Sequence, residues 1–316
     1  MRGVAYAQTV QSSRDRSLDV GLIVVAVVWG SSYLTAKSLL SVMSVTTLLS
    51  LRLSVSAIIL GPLWWARRRP VTRRELLVAA WGGVLLLVTF LLETAGVAHT
   101  SATNAGLIIS FAIILTPVLE SIASRHWLPA PYFVATTVAI VGVGLLVSSH
   151  GFHRPSGGDL LMLAAALGRA SAVTSSGHMT KGYDYDAMFY TFIQCSVGAV
   201  ILTVVSVPHD IEALGRLSVS QWGALLYLGV FCSVIGLMLQ LWAVRATSAS
   251  RASLLLGTEP LFAVAVSVVI GHESMTILGL VGGVLIVVAT YAAQGMEIRH
   301  REAAHPLAAS SPPTLA

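Results

Sequence analysis

The chain has 316 residues, of which 55% are apolar and only 10% charged, with a formal net charge of +5. So little polar surface cannot cover a water-soluble globule of this length, which excludes a cytosolic enzyme or a soluble nucleic-acid-binding domain and places the chain in a bilayer. Stretches of roughly 20 apolar residues, the length that crosses a ~30 Å hydrocarbon layer, predict ten helices. In chain order they cover residues 19–40, 45–65, 76–97, 103–124, 132–149, 159–179, 187–207, 221–243, 249–270 and 276–294. Residues 1–18 are expected as an N-terminal tail and 297–316 as a disordered C-terminal tail. The first apolar run has no small-residue cleavage site after a short core, so it is expected to stay as a span and not to be removed. Cys195 and Cys232 fall inside spans as small apolar packers. Neither a metal site nor a cofactor is expected.

The basic residues alternate by side. With the N-terminus inside, fourteen Lys and Arg fall on cytoplasmic segments, among them Arg67, Arg68, Arg69, Arg73 and Arg74, against Arg154 and Arg216 alone outside. That asymmetry predicts a multi-pass protein of the cell membrane with both termini cytoplasmic. The run "ARRRPVTRRE" is then an inner loop facing anionic lipid headgroups; it is short and lacks interleaved aromatics, so no nucleic-acid partner is expected.

The chain repeats itself. "HTSATNAGLIIS" from His99 and "ATSASRASLLLG" from Ala246 share a pattern at an offset of 147 residues, Asp19 to Trp29 matches Asp159 to Arg169, and "RLSVSA" at Arg52 matches "QCSVGA" at Gln194. The expected halves are residues 19–149 and 158–294. Five spans per half is an odd number, so the second copy is inverted, and the change of Asn104 to Arg251 follows the change of side. The fold expected is an all-α integral membrane protein of ten transmembrane helices in two inverted five-helix repeats. Such repeats suit secondary transporters, because one pair of bundles seen from two sides provides two gate arrangements of similar energy.

Ionisable side chains deep in spans are costly and therefore functional candidates. Arg169, ten residues into its helix, lies near the midplane and suits a carboxylate or phosphate of a small-molecule substrate, or pairing with an acid on a neighbouring helix. Glu259 stands in "LLLGTEPLF", where Gly257 and Pro260 predict an interrupted helix, and Pro117 in "FAIILTPV" predicts the matching interruption. Glu93, whose counterpart is Gln240, and Glu259 are candidates for proton coupling. Trp29, Ser32, Tyr33, Asn104 and Trp242, with Arg169 and Glu259, are expected to line a substrate site. Arg52 is expected to reach the outer headgroups or a loop. Gly279 and Gly283 make a close-packing face, used within the chain or as a homodimer seam.

The stretches "VVWGSSYLTAK", "HTSATNAGLIISFAIILTPVLES", "GGDLLMLAAALGRAS" and "RATSASRASLLLGTEPLFAVAVSVVIGHESMTILGLVGGVLIVVA", in that order, resemble the EamA-type transporters of the drug/metabolite transporter superfamily. The resemblance covers roughly residues 20–294 and implies export of small metabolites, amino acids or related compounds. Two departures stand out: Arg169 occupies the second-half position where the family shows Trp, and the acid present as Glu273 is missing from the first half, which reads "HWLPAP". A membrane-embedded enzyme is the weaker alternative, since HExxH and GxSxG are lacking; a sensor or scaffold is another. No GxxxxGK loop occurs, so the expected driving force is a gradient and not ATP hydrolysis in this chain.

Overall fold

A computed structural model describes residues 2–67, 69–125, 129–147, 156–246, 249–272 and 276–304, and every regular element among them is helical. The helices are α1 (Arg2–Leu40), α2 (Val45–Trp65), α3 (Arg73–His99), α4 (Ala102–Ile108), α5 (Ala112–Ser124), α6 (Ala130–Val147), α7 (Gly157–Thr180), α8 (Ala187–Arg216), α9 (Val219–Leu226), α10 (Gly236–Ala246), α11 (Ala249–Leu256), α12 (Glu259–Val269) and α13 (Ile277–Ala304). A 3₁₀ turn, Ile109–Phe111, joins α4 to α5, and a π-helical stretch, Tyr227–Ile235, joins α9 to α10. Seven helical segments are long and apolar enough to cross a membrane: Val20–Leu40, Val45–Trp65, Arg73–His99, Ala102–Ala123, Gly157–Thr180, Ala187–Arg216 and Val219–Ala246. Helices also occupy the three remaining expected spans, as α6, α11 with α12, and α13.

Polar residues immediately before the apolar runs start these helices. Ser44, Thr72, Ser101 and Asp186 each accept a backbone N–H from the first turn that follows, satisfying donors that lipid cannot. Ser156 with Asp159 and Ser218 with Gln221 form reciprocal capping boxes on α7 and α9. At the termini the helices outrun the expected tails. α1 begins at Arg2, and α13 continues through residues 297–304, where disorder was expected; residues 305–316 lie outside the described set.

The most extensive helix pairs join the two halves of the chain: α2 with α8, α6 with α13, α3 with α7, α3 with α8, and α1 with α12. Close backbone approach is written into single glycines. A Cβ on Gly30 of α1 would lie 2.7 Å from the Glu259 carbonyl oxygen and 2.8 Å from the Ala263 nitrogen, so α1 meets α12 backbone to backbone. Gly279 and Gly283 are buried within the single chain, on the helix that packs along α6.

Both interruptions exist, but one has another cause than expected. In the second half the chain breaks at Gly257 and Thr258, and Pro260 sits in the first turn of α12, where its missing N–H costs nothing. In the first half Pro117 lies inside α5, and the interruption is the earlier 3₁₀ turn Ile109–Phe111. At the 147-residue offset that turn falls opposite Leu256 to Thr258, so the breaks are equivalent in position although the prolines are not.

The arginine-rich loop also departs from a purely lipid-facing reading. Arg69 bonds the carbonyl and carboxylate of Asp184, Arg67 lies 3.7 Å from Asp186, and Arg74 covers the Tyr183 ring at 3.9 Å. Glu75 accepts the Asp186 N–H at 2.8 Å, and Arg245 donates to the carbonyls of Tyr183 and Tyr185. The α2–α3 loop of one half is thus tied to the α7–α8 loop of the other.

Candidate functional site

A polar cavity lies between α1, α2, α3, α7, α8 and α10. Arg169, from the middle of α7, is its electrostatic centre. Its Nη1 donates to Glu259 at 2.7 Å and its Nη2 to both oxygens of Glu93 at 3.0 Å. Tyr33 donates its hydroxyl to the other Glu259 oxygen and lies 3.4 Å from Arg169 Nη2. The guanidinium sits 5.1 Å from the Trp29 ring centroid. One cation therefore serves two carboxylates from opposite directions, one on α3 and one on the first residue of α12, immediately after the helix break. A charge network this dry persists because each member has partners; removing one would strand the others.

The indole Nε1 of Trp29 donates to the Cys232 carbonyl at 2.8 Å, inside the π stretch. The extra residue per turn there turns Ser233 to donate to the Leu228 carbonyl five positions back at 3.1 Å. A Cβ on Gly236 would lie 2.5 Å from that indole nitrogen, so glycine is the residue that lets Trp29 lie against α10.

Arg52 departs from expectation. It does not reach the headgroups: it is 9% exposed, donates through Nε to Ser233 at 2.9 Å, and covers the Phe90 ring at 4.4 Å. It lines the same cavity as Arg169 and Glu93. Among the described residues no carboxylate pairs with it. The signal was present in the repeat. Arg52 corresponds to Gln194, Glu93 to Gln240 and Trp29 to Arg169, and all six side chains line this one cavity. These three positions, where the halves match in place but differ in chemistry, converge on a single point; Asn104, of the fourth such pair, does not.

The other expected residues divide. Ser32 lines the cavity, with its hydroxyl donated to the Trp29 carbonyl at 2.6 Å, and Tyr33 reaches the cluster through Glu259. Asn104, half-buried in the first turn of α4, is not on the cavity wall. Trp242 is 41% exposed and also absent from the wall; its neighbours Gln240 and Leu241 take that place. Glu273 lies outside the described residues. Sequence reasoning missed Phe90, Thr89, Gln194 and Tyr190, ordinary residues that only packing brings inward. The remaining space is about 50 Å³, room for a few water molecules and far below the roughly 300–1,000 Å³ of ligand pockets, so a solute requires the walls to part.

An all-helical integral membrane protein with an ionic cluster at the junction of its two halves is built as solute carriers are. The comparison with known families makes the class specific: the chain belongs to the EamA-like transporter family, whose model matches residues 17–148 and again 156–293. An "Uncharacterized transporter" of Archaeoglobus fulgidus is 24% identical over 280 residues, 86% of this chain and 83% of that protein. The "Uncharacterized transporter YvbV" of Bacillus subtilis is 24% identical over 282 residues, 84% of this chain and 88% of its own length. A "Probable terminal-alkyne amino-acid exporter" of Streptantibioticus cattleyicolor is 25% identical over 268 residues, 84% of this chain and 89% of its own. A solved crystal structure with 16% identity shares the fold, with a TM-score of 0.66 over 90% of this chain and 99% of that one.

Proposed function

We propose that the protein is a secondary active exporter of small amino-acid-like metabolites, zwitterionic or anionic, working by alternating access. In this reading all ten helical segments cross the cell membrane as two inverted five-helix repeats, residues 19–149 and 158–294, with both termini in the cytoplasm. The observation that carries it is the convergence of Trp29 and Arg169, Glu93 and Gln240, and Arg52 and Gln194 on one cavity. Two inverted copies enclosing a site of complementary chemistry at their junction is the arrangement in which rocking moves one site from side to side. The amino-acid exporter among the relatives supports the substrate class.

The two cations have different parts. Arg169 is already held by Glu93 and Glu259, whereas Arg52 is buried without an acid and has guanidinium donors to spare. A substrate carboxylate goes to Arg52, and its ammonium group goes to Glu93 on the same cavity wall, with Gln194 and Gln240 as neutral hydrogen-bonding partners. Glu259 ties Arg169 to the start of α12, so a proton or an ammonium drawing Glu93 away frees α7 from α3 while leaving it tied to the helix break. That is the route by which Glu93 and Glu259 would couple protons to transport. The test is counterflow in proteoliposomes with a panel of amino acids, their amides and simple amines: exchange of zwitterions well above empty liposomes is expected, and exchange of none would refute the substrate class.

A further inference from the structure

A second buried charge lies away from the cavity. Asp210, on α8, is 5% exposed; its Oδ2 accepts a hydrogen bond from Ser50 of α2 at 2.6 Å and lies 2.9 Å from the Ser206 hydroxyl, whose one proton it shares with the Leu202 carbonyl at 2.8 Å. Thr203 lies 2.9 Å from Ser50, and Ser54 follows at 3.5 Å, so four hydroxyls line the α2–α8 seam around this carboxylate. The other oxygen, Oδ1, is buried with no hydrogen-bond partner.

Among the described residues no cation is paired with it. The only charged residue of α2 is Arg52, which turns to Ser233 and Phe90. On α8 itself Arg216 is paired with Glu212 at 2.8 Å, and His209 lines an open groove. From α3, Glu75 is spent on the Asp186 N–H and Glu93 on Arg169; from α10, Arg245 is spent on the Tyr183 and Tyr185 carbonyls. An ionised carboxylate buried in an apolar helix bundle with neutral partners alone carries a large desolvation cost that these hydroxyl contacts do not offset. The missing ingredient is one positive charge.

We propose that Asp210 is a binding site for a monovalent cation, H⁺ or Na⁺, completed by Ser50, Thr203 and Ser206 and bridging α2 to α8. An all-oxygen set of one carboxylate and several hydroxyls suits a hard cation, and hydroxyls that both donate and accept equally accommodate a proton. A groove of about 460 Å³ passes nearby, lined by Thr47 and His209, one turn or less from Ser50 and Asp210, and by Ala213 and the Glu212–Arg216 pair; Asp210 itself is not on its wall. Since α2 and α8 belong to opposite halves, a cation here links the halves at a point separate from the central cavity. Its role in driving transport rests on the transporter reading, but its existence does not, and the test uses no substrate.

The experiment takes the full-length protein in lipid nanodiscs and compares wild type with D210N, S50A and T203V. Unfolding is followed by tryptophan fluorescence as Na⁺ replaces choline at constant ionic strength, and infrared difference spectra record carboxyl bands as pH is stepped. A sodium site predicts a Na⁺-dependent rise in melting temperature that is absent in D210N and needs severalfold more Na⁺ in S50A and T203V. A proton site predicts a protonated-carboxyl band that titrates in wild type, is missing in D210N and is shifted in frequency in S50A, with no sodium effect. If D210N does not fold, the two hydroxyl variants decide. Wild type that answers to neither ion, a response that survives in D210N, or hydroxyl variants identical to wild type would overturn the proposal.

Discussion

Arg169 and Arg52 both line the same cavity, the first half-buried and the second buried, and they are held in opposite ways. Arg169 is enclosed by its own carboxylates, Glu93 at 3.0 Å and Glu259 at 2.7 Å. Arg52 rests on an aromatic ring and a serine hydroxyl and, among the described residues, pairs with no acid. In the first arrangement the cation is outnumbered by its own two carboxylates and ties α3, α7 and α12 together; the second leaves a cation that, in the proposed function, a substrate carboxylate completes. Depth in the bilayer alone does not separate these roles, but the partner list does.

The largest effect is expected at Arg169. R169A leaves Glu259 buried and Glu93 half-buried without their cation, a loss of about 3–5 kcal/mol that lowers the melting temperature and abolishes transport. Combining R169M with E93Q and E259Q removes all three charges at once and is expected to recover most of that stability while transport stays lost, which separates holding the fold from moving solute.

Next comes G30A. Its Cβ meets the backbone of α12 at 2.7 and 2.8 Å, where no side chain can swing away, so α1 must retreat from the helix break. The expected cost is about 1–3 kcal/mol in thermal or denaturant unfolding, with a matching loss of transport rate.

R52M should invert the pattern of R169A. It removes a buried cation that strands no acid, so the melting temperature changes little, while the affinity for a carboxylate-bearing substrate falls by about 1.5–3 kcal/mol, roughly tenfold to a hundredfold in KM. The smallest effect is reserved for W242F, on a side chain 41% exposed and off the cavity wall: counterflow rates should match wild type.

Much of the architecture was legible from apolar run length, because lipid obliges every crossing segment to satisfy its own backbone hydrogen bonds and so to be helical. Run length did not place the helix starts, which the caps at Ser44, Ser156 and Ser218 set. The break before Glu259 was visible in Gly257 and Pro260, whereas its partner at Ile109–Phe111 was misattributed to Pro117, because the 3₁₀ turn there has no proline and arises from packing. Of the residues singled out in the sequence, Trp29, Ser32, Glu93 and Arg169 lie on the cavity wall, and Tyr33 and Glu259 reach Arg169 by hydrogen bonds. Arg52 was misread since its distance from the helix end suggested escape to water, and only the π stretch Tyr227–Ile235, for which the sequence offers no marker, places Ser233 to receive it. Trp242 shows the converse error: aromatic character cannot say which face of a helix looks inward.

The most direct test of the division between the two arginines is counterflow of an amino acid against its carboxamide in wild type, R52M and R169K. Wild type is expected to exchange the amino acid in strong preference to the amide, R52M to lose that preference, and R169K to keep it at a lower rate. An R52M protein that still prefers the free carboxylate, or an R169K protein that no longer does, would contradict the account and return substrate recognition to Arg169.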